Sequence, residues 1–546
     1  MATAFTRNKS GPDDVKHGIW LRLILAAMFA LGLSTCHFFG GDPRPMSEQH
    51  TITLPFKIHS TPALWRAKDG QWRVAVVRGR ENPDEDRMSA VDAYTLTGKQ
   101  VSGFPVLSAS VPALKVPPTS QLGVMDGGDG EELRVMDLEG RLWAYHTSGQ
   151  PLQAAPAAKP AHAVLTWPPR VIPWQEGRNA LVLLSFDAHP MGRSLNQLEL
   201  VDGQGRSLPG FPVRLGTRPT PHPPVWDAGT GLFVLFGGLK SVEGFDRHSG
   251  KPLPGFPVEL PAGIKAKYEL GTGFSYDLMV YHAVWKALVL SNGEAALVVV
   301  DTATGKVRRE EIPGAQRLTA VASDGIFLYL LDETRRRLLV VDARKQVTRE
   351  VDLTLPEYTR VESLQAVPLP GTSQTAVVLI SAPETDHDAW VVAMFEKHGT
   401  AQELKEIQAL ADKDAMRAYQ TLNLNPAQRK EIDQDIIDMK DAYLEKIFTQ
   451  AELSKLYSSD AHTRIQILFN GPQGTTLAVD EKVPHFNMDA ANEFSPRIYP
   501  DVRVEEKTRT LIVAVPLNDT GTKAGLPKQE RSVLKIYPLI YPKGVL

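Results

Sequence analysis

Two stretches decide the reading of this chain: Asp202-Gly-Gln-Gly-Arg-Ser-Leu-Pro-Gly-Phe-Pro-Val213 and Asp246-Arg-His-Ser-Gly-Lys-Pro-Leu-Pro-Gly-Phe-Pro-Val258. A looser copy, Asp92-Ala-Tyr-Thr-Leu-Thr-Gly-Lys-Gln-Val-Ser-Gly-Phe-Pro-Val106, precedes them. Each copy adjoins a strand-like apolar run. The Asp begins a turn, because its carboxylate can accept from amides two residues on. The Gly permits a positive φ that other residues resist. The chain then runs outward as the next strand, the Phe supplies a large apolar contact, and the Pro ends ladder pairing.

Weaker copies fill the gaps. Val135–Leu152 carries two turn signals between strand-like runs. Leu297–Lys306 repeats the order of strand, Asp, turn and Gly-Lys, and Leu338–Lys345 does so without the glycine. The recurrence, about 40–60 residues, is the length of one four-stranded propeller blade. One blade cannot bury both of its faces, whereas several stacked in a ring can. The predicted fold class is therefore mainly β: a β-propeller of seven or eight four-stranded blades over residues 51–398. Short strands at Arg464–Phe469, Thr475–Val479, Thr510–Val515 and Ser532–Tyr537 make residues 463–546 the end of the ring. They are expected to close against the strand near Thr51–Ile58.

The repeats resemble the FG-GAP and VCBS-like (integrin-alpha-type) propeller repeats of bacterial envelope proteins, in which Leu-Pro-Gly-Phe-Pro-Val is a frequent blade ending. The resemblance covers about residues 60–400. Asp301-Thr-Ala-Thr-Gly-Lys306 is similar instead to the repeat of quinoprotein-type propellers. Both resemblances imply a propeller, and neither fixes a function.

The first forty residues differ from the rest. Arg7, Lys9, Lys16 and His17 precede a run from Ile19 to Leu33 that is apolar except for Arg22. Leu23–Leu33 has the length of a signal-peptide apolar region, and the wider stretch Gly18–Gly41 could span a bilayer with Arg22 reaching the interface. Cys36, the single cysteine, follows directly. Leu33-Ser34-Thr35-Cys36 resembles a bacterial lipoprotein box, although Thr35 departs from the usual small residue. Residues 1–40 are read as a signal peptide or membrane anchor with Cys36 as candidate lipid acceptor, and residues 41–50 as a tether. Lipidation, an uncleaved anchor and plain secretion all remain open. Each places the chain outside the cytoplasm, on the periplasmic side of a bacterial membrane. No cysteine is left for a disulfide or thiolate metal site in the body.

Between Gly399 and Asp460 glycine and β-branched runs give way to helix formers. Thr400 with Glu403, Asn425 with Gln428 and Thr449 with Glu452 fit capping boxes, and Pro426 suits a first helical position. Ile432, Ile436, Met439, Tyr443 and Ile447 form one stripe at helical spacing. Residues 399–462 are read as a helical insertion. It either packs on the propeller side or serves as a partner-docking hairpin or channel lid.

Formal net charge is -3, which gives no basic surplus for nucleic acid. Val124–Leu133, with Asp126 and Asp129, is similar to the calcium loop of FG-GAP repeats. It places Met125 and Gly127 where ligands belong, so it is read as an acidic turn. Asp386-His387-Asp388 reads as a polar turn, since strand neighbours point to opposite faces. His146, His162, His189, His222, His248 and His282 lack metal-ligand spacing. Trp65, Trp72, Trp143, Trp167, Trp174, Trp226, Trp285 and Trp390 are read as core, with a sugar platform as the alternative. Ser532-Val-Leu-Lys535 lies in a strand-like run, so its Ser-x-x-Lys pattern is set aside. No catalytic, cofactor-binding or metal residue is assigned and no cofactor is implied. The expected function is a membrane-tethered scaffold whose partners are other envelope proteins, engaged through residues 400–460. The competing readings are a quinoprotein-like dehydrogenase, a glycan-active propeller enzyme and a ligand-binding adhesin.

Overall fold

The computed structural model describes residues 49–56, 58–78, 90–107, 122–126, 131–136, 141–146, 155–156, 163–165, 167, 169–175, 178–187, 196–215, 222–227, 229–236, 241–261, 278–291, 293–353, 359–383, 462–484, 486–487, 499–519 and 532–541. They form eight antiparallel sheets, six of four strands and two of five. The chain is an eight-bladed β-propeller. Blade 1 runs Ala63–Arg66, Trp72–Arg78, Ala90–Thr95 and Val106–Leu107. Blade 2 runs Leu122–Asp126, Glu131–Met136, Arg141–Tyr145 and Ala155–Pro156. Blade 3 has a split first strand, Ala163–Leu165 and Arg170–Gln175, then Arg178–Asp187, Asn196–Val201 and Val213–Arg214. Blade 4 runs Val225–Asp227, Gly231–Phe236, Ser241–Asp246 and Val258–Glu259. Blade 5 runs Met279–His282, Ala287–Ser291, Ala296–Asp301 and Val307–Glu311, and blade 6 Leu318–Ser323, Leu328–Asp332, Arg337–Val341 and Val347–Asp352. Blade 7 runs Thr359–Pro368, Thr375–Pro383, His462–Gly471 and Gly474–Pro484. Blade 8 takes Phe486–Asn487 and Asp501–Glu505, Thr510–Asp519, Ser532–Ile540 and, as its outermost strand, His50–Leu54.

Burial follows position in the blade. Ala287–Ser291 and Leu328–Asp332 are buried at every residue, because second strands have a blade on each face. Such strands read as unbroken apolar runs. The outer strand Val347–Asp352 alternates half-buried with exposed, which is the pattern of a strand with one wet face.

The turn chemistry is as the repeat predicts. Asp246 Oδ1 accepts from the amides of His248 (3.1 Å) and Ser249 (2.8 Å) and from Ser249 Oγ (2.7 Å). Asp301 does the same with Ala303 N (3.1 Å), Thr304 N (2.8 Å) and Thr304 Oγ (2.7 Å). The hydroxyl bond first, and then the amides, hold both carboxyls below their ordinary value of 3.8. A carboxyl lowered by folding stabilises the native state above its unfolded value, and that stability is lost as pH falls through the folded one. An Asp246→Ala/Asp301→Ala chain should therefore show a flatter acid limb below pH about 4 in denaturant titrations, with its alkaline limb unchanged. An acid limb as steep as the parent's would count against the caps.

The Gly-Phe-Pro-Val segment plays a different part from the one expected. After each turn a single bridge, Tyr94↔Gln100, Val201↔Ser207 or Phe245↔Pro252, touches the third strand. The outer strand begins only at Val106, Val213 or Val258, after the proline rather than before it. The intervening Leu-Pro-Gly-Phe-Pro or Val-Ser-Gly-Phe-Pro lies between neighbouring blades. Phe104 shares a buried cluster with Val124, Val135 and Trp143 of blade 2. Phe211 joins Leu232, Val234 and Phe245 of blade 4, and Phe256 joins Leu288, Leu290 and Val298 of blade 5. Gly210 packs on the Ser249–Gly250 turn of blade 4, and Gly255 on the Thr304–Gly305 turn of blade 5. The motif is thus an interlock between blades. All three Phe–Pro bonds are cis.

The ring closes as expected from the sequence. His50–Leu54 pairs antiparallel with Ser532–Ile540, in register from His50↔Ile536 to Leu54↔Ser532. The predicted helices of 399–462, Asp129, Asp386–Asp388, Trp390, Cys36 and the apolar run Ile19–Leu33 lie outside the described residues. Among the described residues no helix is long and apolar enough to cross a membrane.

Candidate functional site: the channel and the two faces

The first strands of the eight blades converge on a central cavity of about 590 Å³. Each blade contributes to it, from Thr61–Ala63 of blade 1 to Tyr499–Arg503 of blade 8. Two of its charged groups, Asp501 and Arg503, are knitted into the wall where blades 8, 1 and 2 meet, and Arg170 stands on blade 3. Asp501 Oδ2 accepts from Leu64 N (2.7 Å) and from Arg503 Nε (3.4 Å). The charge of Asp501, and then that of Glu131, raises the Arg503 pKa and keeps the guanidinium protonated. Glu505, 9% exposed, bridges Arg66 (2.7 Å) and Trp72 Nε1 (2.9 Å) of blade 1, while Arg66 N donates to Glu131 of blade 2. These contacts pair the buried Glu505 and the half-buried Asp501 and Glu131 across two blade boundaries, which offsets the cost of taking carboxylates out of water.

Elsewhere the channel offers aromatic, apolar and hydrogen-bonding surface. His222 is buried, with Nδ1 2.7 Å from the Pro223 carbonyl. Desolvation, reinforced by the charge of Asp227 and a bond to its carboxylate, pushes the Tyr281 phenol up to about 12. It remains a hydrogen-bond donor throughout the physiological range. Arg170, Val171 and Trp226 also line the cavity. Among the described residues no group of three His, Cys, Asp or Glu side chains could hold a metal ion.

Among the described residues the scattered histidines do not converge, and His162 and His189 lie outside those residues. His222 lines the channel, His248 packs on Trp174 at 5.2 Å in an outer turn, and buried His282 stacks on Trp285 at 4.9 Å. Trp65, Trp143, Trp167 and Trp174 are core as predicted, whereas Trp72, Trp226 and Trp285 are only half-buried. Sequence reading gave Trp226 no role at the channel, because each blade supplies only a few lining residues and these share no spacing.

The two ends of the ring are unlike. One carries the turns between first and second strands and between third and fourth, such as Ala283–Lys286 and Asp342–Gln346. The other carries the connections between second and third strands and from blade to blade. The five longest connections, residues 384–461, 260–278, 108–121, 488–500 and 520–531, all open on that second face. Residue His50, where the chain enters the ring, pairs with Ile536 at the middle of Ser532–Ile540, and the strand runs from there to Leu54↔Ser532 at the long-connection face.

No family model matches the chain, and no curated protein matches it. Solved structures do resemble it. BamB from Moraxella catarrhalis aligns at 12% identity and TM-score 0.37, over 61% of this chain and 89% of its own. KlHsv2 with loop 6CD replaced by a Gly-Ser linker aligns at 9% and 0.33, over 60% and 91%. The Pan2 WD40 domain of Neurospora crassa aligns at 9% and 0.29, over 46% and 72%. The fold assignment stands on the sheet topology.

Proposed function

We propose that this chain is an FG-GAP-like propeller tethered to a bacterial membrane on its periplasmic side, and that it holds other envelope proteins on its long-connection face. The tether is the N-terminal segment, through a lipid on Cys36 or through the apolar run itself. One observation carries the reading: the described ends of the five longest connections, residues 384–461 among them, all lie on one face of the ring. Loops set on a rigid scaffold are where binding residues concentrate, and insertions in repeat folds collect on a binding face.

The test is crosslinking in intact cells, detergent extraction and identification of what co-purifies, for the parent chain and for one with 385–461 replaced by a short Gly-Ser turn. Ser381 and Arg464 are already cross-strand partners, so the replacement joins ends that are held together. Its melting temperature should stay within about 3 °C of the parent's. The envelope partners should disappear. An unchanged partner set would remove the segment from the docking surface, and no enriched partner for the parent would sink the scaffold.

The channel supports a second reading, a small-ligand site. Its volume falls in the range of ligand pockets, and Trp226, Tyr281 and Val171 give it apolar surface beside the guanidinium groups of Arg170 and Arg503. Native mass spectrometry of the extracted protein would reveal a retained small molecule.

A further inference from the structure

From the short-turn face we infer a second contact: this face rests on an anionic lipid surface. The inference rests on the tether proposed above, and three observations of the ring carry it further. The first is the entry point. His50 begins the outer strand of blade 8 at mid-height, opposite Ile536, with the strand running away from this face to Leu54, and only residues 42–49 separate it from the end of the stretch Gly18–Gly41. Eight residues reach at most about 30 Å, so a bilayer holding that stretch lies within about 30 Å of His50 and can meet the short turns.

The second is the distribution of exposed apolar side chains. Of the five large ones among the described residues, Val284 (51%), Ile326 (60%) and Ile540 (42%) stand at this face. Val284 and Ile326 occupy neighbouring turns of blades 5 and 6, joined by Val284 N to Gly325 O at 3.3 Å. Half-buried Trp285 lies beside Val284, its Nε1 3.1 Å from the carbonyl of Ala343.

The third is charge. The repeat sets a cation directly after the turn glycine: Lys99, Arg206, Lys251 and Lys306, all exposed. Around Val284 and Ile326 these are joined by exposed Lys286 and Arg344. The carboxylates of the same sector are folded back on their own turns. Asp246, Asp301 and Asp342 accept turn amides, and Asp324 is taken by the amides of Ile326 and Phe327 and by Tyr329 and Thr375. Asp126 ends the first strand of blade 2 and Glu131 begins its second, on the far side of the ring. Blades 4–6 therefore present projecting ammonium and guanidinium groups around protruding aliphatic ones. That pairing suits a surface of anionic headgroups over acyl chains.

The experiment uses the full chain in nanodiscs of phosphatidylglycerol or of phosphatidylcholine, read by amide hydrogen exchange. Turns 283–286 and 324–327 should exchange about fivefold or more slowly on the anionic discs, while turn 333–336 on the opposite face is unchanged. Lys251→Gln/Lys286→Gln/Lys306→Gln and, separately, Val284→Ser/Ile326→Ser should abolish that protection while the chain stays on the disc. Equal exchange on both lipids, or protection of 333–336, overturns the inference and leaves the tether standing. Protection that appears only with an added acidic protein overturns it in favour of a protein contact. A chain that stays with neither disc overturns the tether and this inference together.

Discussion

A Gly210→Ala or Gly255→Ala chain should lose about 2–5 kcal/mol of stability. Two independent costs combine. Gly210 has φ +84° and Gly255 φ +81°, where an alanine Cβ meets its own carbonyl. The added Cβ would also enter the next blade. At Gly210 it overlaps the carbonyl of Ser249 and lies 2.7 Å from Gly250 N; at Gly255 it overlaps the carbonyl of Thr304 and lies 2.9 Å from its carbon. Neither neighbour is a side chain that can swing away. Both belong to turns already held by Asp246 and Asp301. Relief requires moving one blade against the next, which would loosen Phe211 or Phe256 from the cores they bridge. Urea or thermal unfolding measures the loss. The control is Gly371→Ala, which shares a positive φ (+70°) but has nothing within 4 Å of the new atom. If the control costs as much as Gly210→Ala, backbone strain explains everything and the interlock is wrong.

The contrast shows what the sequence could and could not disclose. The glycine of Leu-Pro-Gly-Phe-Pro-Val reads locally as turn chemistry, and its conformation is indeed that of a turn. Its second constraint comes from a turn about forty residues later, and no local pattern records it. Blade number was legible to seven or eight because it depends on repetition. Apolar runs ending in Asp202, Asp246, Asp301 and Asp342 mark third strands even where the glycine-phenylalanine-proline is missing, as in blades 5 and 6. The expected closing strand near Thr51–Ile58 is His50–Leu54. The channel was not legible. Arg170, Trp226, Tyr281 and Arg503 meet only because four different first strands point to one axis. Glu505 sits in a charged run, Glu505-Glu506-Lys507, that reads as solvated surface, yet it is buried against Arg66 and Trp72.

Replacing Asn518 with alanine should cost about 2–4 kcal/mol, because it breaks the polar pin of the ring's seam. Asn518 and Ser532 belong to the second and third strands of blade 8, and Ile58 lies where the chain passes from that blade's outer strand into blade 1. Asn518 Oδ1 accepts from Ile58 N at 3.0 Å, and its Nδ2 donates to Ile58 O at 2.9 Å. Ser532 Oγ donates to the same Oδ1. All three residues are almost wholly buried. Alanine leaves the Ile58 carbonyl without this donor, and a buried polar group stripped of its partner costs more than a surface bond is worth. Ser532→Ala should cost less, about 1 kcal/mol, since Asn518 still satisfies both backbone groups. The site of the damage matters as much as its size. His50–Leu54 is the outermost strand of blade 8 and the only one not continuous in sequence with it. Its amides should therefore exchange faster in Asn518→Ala, while those of Ala287–Ser291, across the ring, keep their protection relative to global unfolding. A uniform rise in exchange would mean that the ring opens as one unit, with Asn518 contributing to overall stability and not to the seam. A selective rise at His50–Leu54 would mean that the propeller is held shut by one strand and one amide side chain, at the point where the proposed tether would pull on it.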